Sequence, residues 1–164
     1  MVGDRITGGR PWAGAGDSGT IGLEWFFPKM LETIERAPQV AAAAEVWLEA
    51  GDWFVWQLVG GPTETLTRST CQAGYKAMWS VADGYPSSDF FYAVHPDLAR
   101  AAAECLPGIM RSPGERAGEL TVAMAERLGL RAGTPVSTAI IEAHSAPGPV
   151  TACRSMLCGI LLDG

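Results

Sequence analysis

Two side chains that follow an apolar stretch have the types and spacing for acid–base chemistry. Glu142 and His144 come directly after Ile140 and Ile141, which predicts a carboxylate and an imidazole at the end of a β-strand. In α/β sheets ligands bind at the carboxyl ends of strands, where a carboxylate can accept the proton of a hydroxyl group. The alternative is a strand terminus that meets solvent, as most acidic side chains do. The pattern makes Glu142 a candidate general base and leaves that alternative open.

A lysine between aromatic side chains is the second candidate. Lys76 lies in an irregular, glycine-containing stretch over residues 69–79, which we predict to be a loop. Its ammonium group offers three donors, which suits the hydroxyls of a polyol or an anionic oxygen. Lys29 and Lys76 are the only lysines beside ten arginines, so lysine is not the usual surface cation of this chain. The alternative is a surface lysine whose stem lies along apolar neighbours.

Other notable residues favour structural roles. The tryptophans could stack on a sugar, but their spread over several elements favours the core. Five of the six are meant here: Trp25, Trp47, Trp53, Trp56 and Trp79. The four cysteines lack the spacing of a zinc site, which favours buried thiols. Glycines at 14, 16 and 19 match a dinucleotide-binding pattern, but no strand or helix flanks them, so a flexible turn is predicted.

These side chains would be positioned by helices that alternate with short strands. Helical periodicity begins near Phe27, with Pro28 in the first turn and Pro38 at the far end, and a second helix is predicted from Gln39 to about Leu48. The segment 52–58 is ambiguous between helix and strand, whereas 86–107 favours two short helices divided by proline. A helix is predicted over 121–128, and strands over 65–68, 109–112, 136–141 and 156–162. This alternation predicts an α/β fold.

Composition limits the function classes. The chain has 164 residues, of which 48% are hydrophobic, so it can bury a core. A net charge of -6 disfavours binding to nucleic acid phosphates or to an acidic membrane surface. No apolar run reaches the ~20 residues that span a bilayer, and the glycine-rich start lacks the apolar stretch of a secretory leader. We therefore expect a cytoplasmic globular protein.

Four motifs in one order resemble ribulokinase, a branch of the FGGY carbohydrate kinases. The motifs are EWFFPK at 24–29, EAGDWFVWQL at 49–58, TCQAGYKAMW at 70–79 and GYPSSDFF at 84–91. The resemblance implies an actin-like, RNase H-like α/β fold. Residues 21–146 would form the later half of the first kinase domain and 147–164 the opening strand of the second, while the leader 1–20 does not match.

The resemblance also implies roles for the candidate residues. Lys76 matches the family lysine that touches the sugar, and 142–144 matches an Asp-Ala-His motif. Glu142 would then take the proton from the attacking hydroxyl, and His144 would contact the substrate. The implied reaction is ATP-dependent phosphorylation of the ketopentose ribulose at its 5-hydroxyl in L-arabinose breakdown. Glutamate in place of aspartate moves the carboxylate outward by one methylene.

Several family features have no counterpart in the chain. The phosphate-binding hairpin, the Gly-Thr-Ser loop and the adenine-binding domain do not appear, so most groups that would hold ATP and Mg²⁺ are missing. We therefore expect an internal fragment with little activity alone. The alternatives are a non-catalytic sugar-binding or interaction remnant and the product of a decayed gene. Self-association or pairing with a complementary kinase fragment also stays open.

Overall fold

The computed structural model describes residues 21–141, which form helices and short strands as the α/β class requires. The helices are α1 (Phe26–Arg36), α2 (Pro38–Ala43), α3 (Ala50–Val59), α4 (Thr70–Lys76), α5 (Ser88–Val94), α6 (Pro96–Glu104) and α7 (Val122–Leu128). The strands are β1 (Thr67–Ser69), β2 (Ile109–Arg111), β3 (Arg116–Glu119) and β4 (Pro135–Ser137). A single 3-10 turn, Thr63–Thr65, precedes β1 within this part of the chain.

The helical core forms around α1, as its periodicity predicts. Phe27 and Met30 are buried on one face of the helix, where Phe27 packs on Phe91 with ring centroids 4.5 Å apart. The remaining members of this core come from α5, α6 and the segments beside α1 and α4: Trp25, Ala77, Met78, Phe90, Leu98 and Ala101. On the outer face of α1, Glu32 pairs with Lys29 at 2.7 Å and with Arg36 at 2.9 Å. The amphipathic pattern therefore fixes which face of α1 is buried.

Two small sheets lie beside this core. Strands β1 and β2 are parallel, with Thr67 opposite Ile109 and Ser69 opposite Arg111, and α4, α5 and α6 form the crossover between them. Strands β3 and β4 are antiparallel, with an irregular register near Gly118. Helix α3 contacts both sheets, so it connects the two parts of the described chain.

Most predicted elements are confirmed. The helix that begins near Pro28, the pair of helices divided by Pro96 and the strand at 109–111 are all present. The helix at 122–128 ends at Gly129, which adopts the left-handed conformation expected of a helix-terminating glycine. The ambiguous segment 52–58 is helical and forms most of α3. The strand predicted for 65–68 starts two residues later, after the 3-10 turn.

The loop predicted for residues 69–79 is wrong, because most of it is helix α4. Ser69 caps this helix, since its hydroxyl accepts a hydrogen bond from the Gln72 backbone amide at 3.4 Å. Gly74 lies inside the helix, where an added Cβ atom would make an ordinary contact of 3.5 Å with the carbonyl oxygen of Trp79. The glycine therefore does not end the helix, and Lys76 is the last helical residue.

Two further predictions require correction. The helix predicted from Gln39 to Leu48 ends at Ala43, since the backbone of Trp47 is hydrogen-bonded to Cys105 at 2.8 Å. The strand predicted for 136–141 covers only Pro135–Ser137, and Thr138 instead donates its backbone N–H to the Glu115 carbonyl at 2.8 Å. Strand β3 was not predicted, because Arg116–Glu119 is polar and contains glycine. The strand predicted at 156–162 lies outside the described residues.

The tryptophans divide between core and surface. Trp25 is buried in the helical core, as predicted. Trp53, however, is 51% exposed on α3 beside the exposed Phe54. The prediction of a core role therefore holds for Trp25 and fails for Trp53. Within residues 21–141, no helix has the length and apolar character needed to cross a membrane.

Replacing Gly108 by alanine is expected to lower the free energy of unfolding by roughly 2 kcal/mol. Gly108 has a φ of +116°, and an added Cβ atom would lie 2.7 Å from the Leu66 carbonyl oxygen. This oxygen accepts a hydrogen bond from the Ile109 N–H at 2.8 Å at the start of the β1–β2 pair. The two backbone segments therefore cannot move apart there to make room for the added atom. Urea unfolding measures the change.

The matched control is Gly114→Ala. Gly114 also has a positive φ, +86°, but an added Cβ atom would have no neighbour within 4 Å. Its substitution should cost only about 1 kcal/mol, the strain of the left-handed backbone alone. Equal losses at both glycines would contradict a steric role for Gly108.

Candidate functional site

The predicted lysine lies at the end of a helix that starts directly after β1. Ser69 ends the strand and caps α4, and Lys76 is the last residue of that helix. The ammonium Nζ lies 5.7 Å from the ring centroid of Tyr75, within the range of a cation–π contact. Lys76 as a whole is half-buried.

A buried carboxylate joins this helix to α3. Asp52 is 1% exposed, and its Oδ1 accepts hydrogen bonds from the Ser69 backbone N–H at 2.9 Å and from Gln72 Nε2 at 3.0 Å. Burial raises the pKa of Asp52 to about 6, although the Ser69 hydrogen bond and the Arg68 charge act in the opposite direction. The carboxylate therefore fixes the start of α4 against the first turn of α3.

A second carboxylate lies one helical turn earlier. Burial raises the pKa of Glu49 to about 7, and repulsion from Asp52 adds to this shift, while the positive charges of Arg68 and Lys76 oppose it. Among the described residues, no hydrogen-bond partner reaches the buried Oε1 of Glu49. Glu49 can therefore exchange a proton near neutral pH, as few glutamates do.

The buried cation of the site is Arg68 on β1, which is 2% exposed. Its Nη1 donates to the Pro107 carbonyl at 3.2 Å and its Nη2 to the Trp47 carbonyl at 2.7 Å. Burial raises the pKa of Tyr85, while the charge of Arg68 and a hydrogen bond from it partly offset this rise. Arg68 therefore holds backbone segments in place and also compensates the nearby negative charges.

Together these side chains form what we call the charge cluster: Glu49, Asp52, Arg68, Lys76 and Tyr85. Sequence reasoning identified only Lys76 among them. A signal for the two acids is present, because they lie three residues apart at the start of a segment that is otherwise almost entirely apolar. Nothing in the sequence around Arg68 distinguishes it from the exposed arginines.

The other two predicted residues, Glu142 and His144, lie outside the described residues. The described chain ends nearby at Ile141, two residues after Ala139. The carbonyl of Ala139 accepts a hydrogen bond from Ser69 Oγ at 2.6 Å. The segment that leads to Glu142 therefore passes the carboxyl end of β1, where α4 begins. The roles of Glu142, His144 and Lys76 stay predictions.

Comparison with known structures identifies the fold. Xylulose kinase from Lactobacillus acidophilus superposes with a TM-score of 0.63 at 15% identity, over 79% of this chain and 24% of that one. Gluconate kinase from the same organism gives a TM-score of 0.60 at 16% identity, over 85% of this chain and 26% of that one. The described residues therefore share the fold of part of these two sugar kinases, and the predicted fold class is confirmed.

Sequence comparison shows that the chain is similar to ribulokinases. A ribulokinase of Bacillus licheniformis is 45% identical over 126 residues, which are 77% of this chain and 22% of that protein. Ribulokinases of Shouchella clausii and Geobacillus thermodenitrificans are 44% and 36% identical over 78% and 88% of this chain. No family model matches the chain. The chain is thus related in sequence to the ribulokinases, and it spans 22% to 26% of the length of these relatives.

Proposed function

We propose that this chain forms the sugar-binding side of a ribulokinase-type carbohydrate kinase, which phosphorylates ribulose at its 5-hydroxyl. The observation that carries the proposal is the placement of Lys76 at the end of α4, within the charge cluster, in a chain 45% identical to a ribulokinase over 126 residues. Asp52 and Ser69 fix the start of this seven-residue helix, and Lys76 is its last residue, so the position of the ammonium is set relative to that fixed start. Because the transfer consumes ATP, the proposal also places the chain in the cytoplasm.

Lys76 would bind the substrate through its ammonium group. Three N–H donors on one positive charge can bridge two hydroxyl oxygens of a pentose. Charge-assisted hydrogen bonds of this kind are stronger than neutral ones, so one lysine can contribute much of the affinity for a small polyol. Neighbouring Tyr75, 42% exposed, would supply an aromatic surface beside the sugar.

Glu142 would accept the proton of the attacking hydroxyl, and His144 would contact the same pentose. The hydrogen bond between Ser69 and Ala139 supports this assignment, because it holds the chain before Glu142 against the start of the helix that ends at Lys76. A helix of this length spans roughly 10 Å, which is comparable to the length of an extended five-carbon sugar with its two protein contacts. Because glutamate carries its carboxylate one methylene further out than aspartate, we expect a lower rate unless the backbone before Glu142 shifts to compensate.

ATP and Mg²⁺ are the expected co-substrate and metal of the complete reaction. Among residues 21–141, no group of three or more His, Cys, Asp or Glu side chains is arranged to hold a metal ion. The charge cluster does not fit Mg²⁺ either, because Asp52 is already bound by two N–H donors and Arg68 lies beside it. We therefore assign no step through ATP or the metal to the described residues.

Replacing Lys76 by methionine is expected to weaken L-ribulose binding by about ten- to a hundredfold, the loss of one charge-assisted hydrogen-bond donor. Methionine keeps most of the apolar stem of lysine and removes the charge. Isothermal titration calorimetry of the full chain with L-ribulose, with and without ATP, measures the change. A separate assay of ADP release detects any turnover, which should disappear in Glu142→Ala.

Lys29→Met is the matched control. Lys29 is the other lysine, and it lies on the outer face of α1 in an exposed pair with Glu32. Its loss should leave ribulose binding unchanged. The proposal fails if the wild-type chain shows no affinity for ribulose, or if both lysine variants bind it equally. Ribulose binding without turnover would instead support the sugar-binding remnant.

A further inference from the structure

Ser69 joins three parts of the chain through its backbone and its buried hydroxyl. It is 0% exposed and lies where β1 ends and α4 begins. Its backbone N–H donates to Asp52 Oδ1 at 2.9 Å, and its hydroxyl oxygen accepts a hydrogen bond from the Gln72 N–H at 3.4 Å. The hydroxyl proton is donated to the carbonyl oxygen of Ala139 at 2.6 Å, across 70 positions of the sequence.

The bond to Ala139 is the better formed of the two that the Ser69 hydroxyl makes. Hydroxyl groups donate to oxygen at roughly 2.7 Å, which is close to the length of this bond, whereas the helix cap at 3.4 Å is long. A helix cap needs only an acceptor, and aspartate supplies one as well as serine does. The hydroxyl of Ser69 therefore does more at this position than cap α4.

This bond also sets the direction of the chain that leads to Glu142. One residue before Ala139, Thr138 is 2% exposed and is held at Glu115, whose carbonyl accepts its N–H at 2.8 Å and its hydroxyl at 3.0 Å. Glu115 directly precedes β3 of the antiparallel sheet, whereas Ser69 ends β1 of the parallel sheet. The backbone therefore passes from one sheet to the other between Thr138 and Ala139.

We propose that Ser69 is a positioning residue, whose hydroxyl sets the separation between Glu142 and Lys76 on either side of the pentose. The inference rests on the proposed function and adds to that site a residue that touches no substrate. Lys76 ends α4, about 10 Å from its start, and Glu142 follows Ala139 by three residues, a reach of at most roughly 11 Å. Both sides of the site are thus fixed relative to one buried residue.

Removal of the hydroxyl should affect the two sides unequally. In Ser69→Ala the backbone N–H still binds Asp52, which also accepts Gln72 Nε2 at 3.0 Å, so α4 keeps its place against α3. The Ala139 carbonyl loses its donor, and the segment that leads to Glu142 gains freedom that sugar binding must then remove. The affinity for L-ribulose should therefore fall about three- to tenfold, the loss of one hydrogen bond.

The test uses the fact that the chain has only two lysines and two histidines, so each side of the site has its own NMR probe: Lys76 on one and His144 on the other. Lysine is labelled with ¹³C at the ε-carbon and histidine at the ε1-carbon of the full chain, and Lys29 and His95 serve as internal references. In the wild type, L-ribulose should shift both probes with one dissociation constant. In Ser69→Ala the Lys76 signal should still respond, whereas the His144 signal should differ before sugar is added and lose most of its response.

Ser87→Ala is the matched control. Ser87 is exposed and caps α5, since its hydroxyl accepts the Phe90 N–H at 3.3 Å. This variant removes a helix cap of the same kind and should leave both ribulose responses unchanged. Circular dichroism checks that each variant is folded. If Ser69→Ala does not fold, Ser69→Cys decides the question through the same two signals, because cysteine fills nearly the same volume and is only a weak donor.

The two NMR probes also separate this inference from the proposed function. A His144 signal in Ser69→Ala that equals the wild-type signal, or equal losses of the Lys76 and His144 responses, would overturn the inference. If neither probe responds to L-ribulose in the wild type, the proposed function fails. The sugar-free spectra then still decide the role of Ser69, since a His144 shift in Ser69→Ala that is absent from Ser87→Ala shows that the hydroxyl holds this segment.

Discussion

Replacing Asp52 by alanine should lower the free energy of unfolding by roughly 3–4 kcal/mol. Asp52 is almost fully buried and accepts the Ser69 backbone N–H at 2.9 Å, while Ser69 itself is 0% exposed. Without the carboxylate, this N–H has no acceptor and water cannot replace it. Gln72 would lose its bond to the same oxygen, and a cavity would open between α3 and α4. Urea unfolding of the full chain measures the loss.

The variant Asp52→Asn distinguishes the contribution of the two hydrogen bonds to stability from that of the negative charge. The asparagine side-chain oxygen can accept the same two bonds and carries no charge that burial penalises, so this variant should lie within about 1 kcal/mol of the wild type. Asp97→Ala provides the surface control, because Asp97 is 56% exposed and pairs with Arg100 at 3.6 Å. It should cost less than about 1 kcal/mol. The role assigned to Asp52 is wrong if its alanine and asparagine variants are equally unstable.

The helices could be predicted where apolar periodicity and proline or glycine boundaries agree. Helix α1 satisfies both conditions, since Phe27 and Met30 lie on one face and Pro38 follows its end. The end of α2 could not be predicted, because it depends on hydrogen bonds from Trp47 to Cys105 and from Arg68 to Trp47, which join distant parts of the sequence. The high helix propensities of alanine and leucine alone predict a helix that continues beyond Ala43 to about Leu48.

Helix α4 was not predicted, partly because of its own residues and partly because a contact with another helix stabilises it. Its glycine and its short length both argue against a helix in a single sequence. What stabilises it is the cap by Ser69 together with the bond from Gln72 to Asp52 on another helix. The cap was visible in the sequence, because serine before a helical segment is a common signal. The Asp52 contact was not visible, since nothing in the spacing pairs residues so far apart.

In the candidate site, the sequence identified Lys76 but did not predict that the charged side chains around it are buried. Lys76 was found through the rarity of lysine and the motif around it. Glu49 and Arg68 were missed because charged side chains are usually exposed, and only the three-dimensional structure shows that both are largely covered. Their burial follows from the packing of α3 against β1, which brings the two acids and the arginine into one low-dielectric region.

Because these two acids are buried, the stability of the protein should fall as the pH rises through neutrality. Asp52 and Glu49 have pKa values raised from 3.8 to about 6 and from 4.5 to about 7. For an acid with a raised pKa, the folded state binds more protons than the unfolded state between the two values, so stability falls as pH rises through that window. Between pH 5 and pH 8 the free energy of unfolding should fall by roughly 3 kcal/mol. This is less than both shifts combined, because the window begins above the unfolded pKa values of both acids and because Glu49 retains some contact with water.

Urea unfolding at several pH values distinguishes these two acids from the rest. The double variant Asp52→Asn, Glu49→Gln should unfold with nearly constant stability from pH 5 to pH 8, since its two buried acids no longer titrate. Glu32, whose pKa is lowered by its hydrogen bond to Lys29, acts in the opposite direction and only below that window. The variant Glu32→Gln should therefore keep the full wild-type slope. A wild-type chain that gains stability from pH 5 to pH 8 would mean that Asp52 and Glu49 reach water in solution, and the charge cluster would then lose its physical basis.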